Sequence, residues 1–347
     1  MPGTAPPRNV IYVNGFSVTV QQPDGSTANF PYPSISNFSY TDAILGFLIP
    51  DPSGNGNLIG DGSVLPGSDH NDPLGPYLQA AITRFQNAGQ NALVSVGGAW
   101  GWVPDPTHCP HSSINFNAWQ SYSNNVTQLA NQIVSFVQQY GFNGVDIDYE
   151  DDSGFTGGYD GIDFLSTLTS ELAQALPPGQ SIITHAPQTP YWDTKYHKAP
   201  YAQIWQQVGN QITWINNQFY HNPRYDRDAP TKIQWYNTIA DTMGGGQQLL
   251  VGALLEPGAD GYLPVDQMIN DVINPLQSSY GTQFGGVMAW EWSLDVNWAW
   301  SNAIAPSASP AKARDQRGSW RVKDPLVANI IRTKLGSQRR PRVRVLR

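Results

Sequence analysis

Cysteine is almost missing from this chain. Cys109 is the only one in 347 residues, so no intrachain disulfide can form and disulfide stapling is excluded. Charge is sparse too: 13% of residues are Asp, Glu, Lys or Arg, and the net charge of −8 argues against nucleic acid as a partner. No apolar run reaches the ~20 residues a membrane-spanning helix needs, so no membrane span is expected. The opening MPGTAPPRNV has no apolar h-region and does not read as a signal peptide. That leaves a cytoplasmic protein, export by another route, or a signal that this sequence does not carry.

Aromatic residues and loop formers are abundant. There are 12 Trp and 16 Tyr, which suit both a core and flat surfaces that receive ligand rings. With 33 Gly and 28 Pro, long loops are expected. The sequons at Asn37 and Asn125 are explained as well by chance in an Asn-rich chain as by glycosylation. Twelve of the 19 Lys and Arg residues fall from Lys312 onward, against only Asp315 and Asp324, so an acidic body carries a basic tail. The small-residue stretch APSASPAKA marks the boundary. The expected division is a catalytic body over 1–305 and a basic tail over 306–347, in which PLVANIIRTKLG (325–336) has the pattern of a short helix.

Eight β-rich runs recur along the body, at 9–16, 43–50, 92–100, 144–150, 181–188, 212–220, 248–256 and 285–292. Helical patterns lie between most of them, at 76–89, 124–141, 162–176, 201–211, 231–243 and 265–279. The clearest places Val126, Leu129, Ile133, Val134 and Val137 on one stripe. Strands that alternate with helices make a parallel sheet, and eight of them in about 300 residues fit a (β/α)8 TIM barrel of the α/β class. The first crossover, SVTVQQPDGSTANFPYPSISNFSYT, shows no convincing helix and reads as a long loop with a short one.

The stretch NGVDIDYED at 143–151 lines up Asp146, Asp148 and Glu150 at alternate positions. On a strand these share one face in steps of about 6.6 Å, while Val145, Ile147 and Tyr149 face the helices. Clustered carboxylates cannot all ionise cheaply, and a carboxyl kept protonated near neutral pH is a general acid. A divalent-metal site helped by Asp151 and Asp152, or a solvated acidic strand end, is the alternative reading of the same residues. No His follows this strand, which argues against zinc.

NGVDIDYE resembles the D-G-x-D-x-D-x-E signature of family 18 glycoside hydrolases, the chitinases and endo-β-N-acetylglucosaminidases. SVGG (95–98) resembles that family's S-x-G-G. APQTP (186–190) and NQFYHNP (217–223) resemble segments of class III chitinases of the hevamine type, and GYLP (261–264) and GGVMAW (285–290) their last strand ends. The order matches over roughly residues 9–300.

The resemblance implies a TIM-barrel glycosidase with a substrate-assisted mechanism, the exception to the usual two-carboxylate scheme. It implies Glu150 as the acid, Asp148 as the group that holds the acetamido N–H, and Asp146 paired with Asp148 so that the two share a proton. It implies Tyr220 as donor to the acetamido carbonyl, Trp290 as the floor under the sugar, and Gln188, Gln218 and Asn222 as hydrogen-bonding partners of the sugar. No metal or other cofactor is implied. Trp100, Trp102, Trp192 and Trp292 also follow strand ends and either stack on further sugars or pack.

The expected activity is chitinase, on chitin or N-acetylglucosamine oligosaccharides, by a monomer acting outside the cell. An endo-β-N-acetylglucosaminidase, a chitin-binding lectin on the same barrel and a metal-dependent hydrolase are the rivals. Lectins of this type typically lose the terminal Glu, which is present here as Glu150. The pattern also has departures. Asn143 stands where the signature has its first Asp, and a place deep in the barrel, tuning the Asp146–Asp148 pair, is expected for it. The several disulfides usual in hevamine-type enzymes are absent. His221 stands where an Asn usually precedes Asn222, and it is read as a loop residue.

Overall fold

The computed structural model describes residues 7–14, 18–21, 27–30, 40–50, 58–60, 75–98, 117–295 and 299–308. Trp100, Trp102, Cys109 and the segment 309–347, with its expected helix at 325–336, lie outside the described residues. The strands, in chain order, are β1 (Arg8–Val13), β2 (Val18–Gln21), β3 (Thr27–Phe30), β4 (Asp42–Pro50), β5 (Leu58–Gly60), β6 (Asn91–Gly97), β7 (Gly144–Asp148), β8 (Ile182–His185), β9 (Trp214–Gln218), β10 (Leu249–Leu254) and β11 (Gly286–Trp290). The parallel order β1-β11-β10-β9-β8-β7-β6-β4 closes through a parallel β1–β4 pairing, giving an eight-stranded barrel. Strand β5 adds an antiparallel edge to β4. The eight expected strands are these eight.

The helices are α1 (Gly75–Asn87), α2 (Asn117–Ser121), α3 (Val126–Tyr140), α4 (Ser153–Thr156), α5 (Gly161–Ala175), α6 (Pro200–Val208), α7 (Pro223–Asp226), α8 (Ala229–Met243), α9 (Val265–Met268), α10 (Asn274–Tyr280) and α11 (Ala299–Ala308). Side-chain alternation sorts the barrel residues into two apolar layers. Ile11, Val94, Val145, Ile147 and Val251 face outward and pack with Leu129, Ile133 and Val137 of α3 and Phe164, Leu168 and Leu172 of α5. Val10, Tyr12, Ile44, Leu93, Leu250 and Met288 face inward. The stripe expected on α3 is the buried face, with Val126 only partly covered at its start. The helix stops at Gly141, whose φ of 80° suits glycine and whose N–H caps the Val137 carbonyl.

Two expectations differ from the structure. The first crossover, expected as a loop with a short helix, is described over 15–39 only at 18–21 and 27–30, and 15–17, 22–26 and 31–39 lie outside the described residues. VTVQ and TANF instead pair as antiparallel strands, β2 against β3. The single helix expected over 265–279 is divided: α9 passes into a π-turn over 269–273 before α10. Pro275 explains the widening, because it has no N–H and its ring would strike the carbonyl four residues back. The last helix runs through Ala308, so it includes the first residues of APSASPAKA.

At the N-terminal end of the barrel Arg8 bonds both oxygens of Asp42, at 3.2 and 3.1 Å, and stacks over Trp214 at 3.8 Å. Strand β7 lies close against β8 there: a Cβ on Gly144 would stand 1.9 Å from the Ile182 carbonyl oxygen. Backbone cannot yield as a side chain can. Gly144→Ala is therefore expected to destabilise the fold by about 3 kcal/mol, the upper end of ordinary overpacking. Urea titration of the two proteins checks this, and equal midpoints would contradict it.

Candidate active site

Strand β7 carries the carboxylates inward, and its neighbours decide how each is satisfied. Ser95 on β6 and Thr184 on β8 sit directly beside Asp146 in register. Their hydroxyls donate to its two oxygens at 2.7 and 2.5 Å. Tyr12 from β1 and Asn216 from β9 also reach it, at 2.7 and 3.1 Å. Asp146 is 0% exposed, so burial pushes its carboxyl up while the four donors pull it back down.

The next carboxylates have fewer donors. Asp148, 4% exposed, accepts one hydrogen bond, from the Gln218 side chain at 2.9 Å. Burial, then the charges of Glu150 and Asp146, push it well above the ordinary carboxyl range. Glu150 is half-buried at the barrel mouth. It accepts from Gln188 at 2.8 Å and from Gln218 at 3.4 Å; burial raises it, and these two bonds oppose the shift. Three carboxylates in a row with seven donor contacts, four of them on Asp146, leave the deficit on Asp148 and Glu150. Burial and like charge therefore favour the protonated form most in that pair.

The expected hydrogen bond between Asp146 and Asp148 is not present. Both Asp146 oxygens are occupied by other donors, so Asp146 acts on Asp148 through charge alone. Asn143 needs a second correction. It precedes β7, where its side-chain oxygen accepts from the Ala92 N–H at 2.9 Å and from Gln86 of α1 at 3.1 Å. It is half-buried on the helix side, one residue before Gly144 in the strand's alternation, and does not face Asp146.

The other expected site residues assemble around the same mouth. Trp290 is half-buried, stacks on Phe47 with ring centroids 5.7 Å apart and tilts against Tyr12 at 5.7 Å. Tyr220 is buried beside Trp290 in the inner layer. Its hydroxyl bonds no described group, and burial with three nearby carboxylates raises its pKa well above 10. The amide donors of Gln188 and Gln218 are spent on carboxylates, and Gln218 also reaches the Ala186 carbonyl at 3.0 Å. The Asn222 amide donates to the Tyr220 carbonyl at 3.1 Å.

Several residues lie elsewhere or carry roles the sequence did not reveal. Trp192 is buried with its N–H on Asn217 at 2.9 Å, and Trp292 is buried against Tyr40, so both pack. His221 is exposed in the loop. Asp151 accepts from Tyr159, and Asp152 from Tyr191 and Tyr196 at 2.9 and 2.7 Å. Among the described residues no group of three or more His, Cys, Asp or Glu side chains is placed to hold a metal. Tyr12, Ser95, Thr184 and Asn216 were missed as a donor ring. Ser95 lies within SVGG, but the other three become neighbours of Asp146 only when the barrel closes.

The chain matches the profile of Glycosyl hydrolases family 18 over residues 8–246. Among curated proteins it is 28% identical to "Endochitinase 2" of Metarhizium robertsii over 231 residues, 61% of this chain and 51% of that one. It is 23% identical to "Endochitinase 37" of Trichoderma harzianum over 278 residues, 71% of this chain and 75% of that one. The chain thus spans about half the length of the Metarhizium relative. Among solved structures, a GH18 chitinase from Pseudoalteromonas aurantia superposes with a TM-score of 0.70 at 32% identity, covering 86% of this chain and 99% of that one.

The raised pKa of Asp148 carries a cost in stability. A carboxyl raised in the folded state favours folding most below its unfolded value, about 4, and that contribution is lost as pH climbs to the folded value. An amide at position 148 removes the dependence. Asp148→Asn is expected to melt a few degrees higher at pH 7, at about 2–4 °C per kcal/mol for a chain of this order of size, with the gap closing near pH 4. Melting curves at the two pH values test this; no gain at pH 7 contradicts the assignment.

Proposed function

We propose that this chain, which belongs to glycosyl hydrolase family 18, is a chitinase that cleaves β-1,4 linkages of N-acetylglucosamine polymers with retention of configuration. The observation that carries the reading is the line of three carboxylates ending at the half-buried Glu150, beside the unengaged Tyr220 hydroxyl and the Trp290 ring. The likeness to the P. aurantia chitinase and to the two endochitinases supports the choice of substrate. Chitin is an insoluble extracellular polymer, so the place of action is outside the cell. Among the described residues no helix is long and apolar enough to cross a membrane.

The chemistry follows from which groups are free. The proton held by the Asp148–Glu150 pair passes from Glu150 to the glycosidic oxygen as that bond to the anomeric carbon breaks. No protein carboxylate attacks, because Asp146 is sealed below its donor ring and Asp148 is tied to Gln218. The substrate's own acetamido carbonyl oxygen attacks instead and closes an oxazolinium ring. Its tether to the reacting sugar gives it a high effective molarity. Tyr220 donates its O–H to that carbonyl oxygen, and Asp148 accepts the acetamido N–H and offsets the positive charge. Trp290 supports the sugar face. Glu150, now a carboxylate, takes a proton from the water that opens the ring, and two displacements at one carbon restore the β-configuration. Gln188, Gln218 and Asn222 exchange carboxylate and backbone contacts for sugar contacts as the substrate enters.

Two substrates and one variant test this reading. Chitin hexamer should be cleaved, and its fully deacetylated counterpart, which lacks the internal nucleophile, should be cleaved negligibly. Glu150→Gln keeps the shape of the acid without its proton and should lower kcat by at least about 10²–10⁴-fold. Chromatography of the products reads both. Equal cleavage of the two polymers would refute substrate assistance, and a Glu150→Gln variant with near wild-type turnover would refute the acid. Cleavage of a high-mannose glycopeptide in preference to chitin hexamer would move the enzyme to the endo-β-N-acetylglucosaminidases.

A further inference from the structure

The Tyr220 hydroxyl has no hydrogen bond to any described residue, so no contact at its own oxygen aims it. Its direction is set by the backbone that carries it. That backbone is the turn after β9, running from Phe219 through His221 and Asn222 into α7. It is not a relaxed turn: His221, a non-glycine, holds φ at 61°, which costs energy and persists only where surrounding contacts impose it.

Those contacts come from a buried charge. Lys232, in the first turns of α8, is 2% exposed. Its ammonium donates to the Phe219 carbonyl, the group immediately before Tyr220, and to the Gly261 carbonyl at 2.9 Å. Gly261 lies directly on the tyrosine: a Cβ there would stand 2.6 Å from the Tyr220 Cα. The same two loops are joined again by the His221 N–H on the Asp260 carbonyl at 3.0 Å. On the far side of the turn, buried Asp226 accepts the Asn222 N–H at 2.8 Å, and its second oxygen has no hydrogen-bond partner among the described residues.

An ammonium in this position is expensive. Removing it from water costs several kcal/mol in ordinary proteins, and an apolar side chain of the same volume is often at least as stabilising. Burial pushes the lysine down to about 8, while Asp226 and Asp228 pull it back up. What an apolar side chain cannot do is grip two carbonyls from two different loops at once. We infer that Lys232 is a positioning residue for the reaction, clamping the turn after β9 to the loop after β10 so that the Tyr220 hydroxyl stands ready for the acetamido carbonyl.

This inference rests on the chitinase reading, and its test separates the two. The full chain and the variants Lys232→Met, Tyr220→Phe and the double variant are assayed on chitin hexamer for kcat and KM separately, with melting temperatures alongside. Loss of the clamp displaces a reacting group by a fraction of an ångström to an ångström. Lys232→Met is therefore expected to lower kcat by about 10–100-fold with KM changed far less. In the Tyr220→Phe background the same substitution should cost almost nothing further, because the group it positions is gone. Should Lys232→Met fail to fold, Lys232→Gln, which keeps amide donors, takes its place in the cycle with the same expected non-additivity. A lysine that only stabilises the fold would lower the melting temperature and leave kcat intact, or lower kcat additively with Tyr220→Phe; either result overturns the inference. No cleavage of chitin hexamer by the wild-type chain overturns the chitinase reading instead.

Discussion

The structure turns on the burial of one carboxylate. Asp146 lies inside a barrel whose inner layer includes Val10, Ile44, Leu93, Leu250 and Met288, where an isolated charge would be driven out or neutralised. Four strands supply the remedy, with Tyr12, Ser95, Thr184 and Asn216 each giving a donor. The four donors oppose the upward push of burial on Asp146, which lies below Asp148 and raises it by its charge. Its field, the burial of Asp148 and the proximity of Glu150 leave the upper pair unable to ionise fully. The protonation of the carboxylates at the barrel mouth is thus influenced from beneath, by a residue buried out of reach of solvent.

The glutamine side chains extend this logic upward. Gln218 spreads one amide group over Asp148, Glu150 and the Ala186 carbonyl, and Gln188 gives its donor to Glu150. Neutral donors hold the carboxylates in place without supplying a positive charge that would drain their proton. A lysine or arginine at either position would lower the pair's pKa and remove the acid. The buried Lys232 is set behind the Phe219 carbonyl and bonds backbone, not carboxylate.

Much of this was readable from residue order. The eight strands showed as β-rich runs, and NGVDIDYED announced its inward face because a strand's side chains alternate. Period and alternation are local properties, so sequence carries them directly. What failed was non-local or depended on one backbone atom. The strand pair in the first crossover escaped because short polar strands such as TANF have weak patterns. The interruption of the helix over 265–279 came from Pro275, a missing N–H that an apolar stripe does not register. Asn143 was placed in the barrel by analogy with a signature, although the alternation that put Asp146 inside already put it on the other side. The donor ring and Lys232 could not be seen, since Tyr12, Thr184, Asn216 and Gly261 meet their partners only across a closed barrel.

The central claim is a distribution of charge: Asp146 ionised, and one proton held between Asp148 and Glu150. Carboxyl ¹³C NMR of Asp- and Glu-labelled protein, assigned with single Asn and Gln substitutions, measures it directly across a pH titration. The expected spectrum has Asp146 at a carboxylate shift throughout neutral pH, while Asp148 and Glu150 move together and release their shared proton well above about 4, the ordinary carboxyl value. If Asp148 and Glu150 have both ionised at that ordinary value, or if Asp146 carries the proton, the carboxylate line does not work as described.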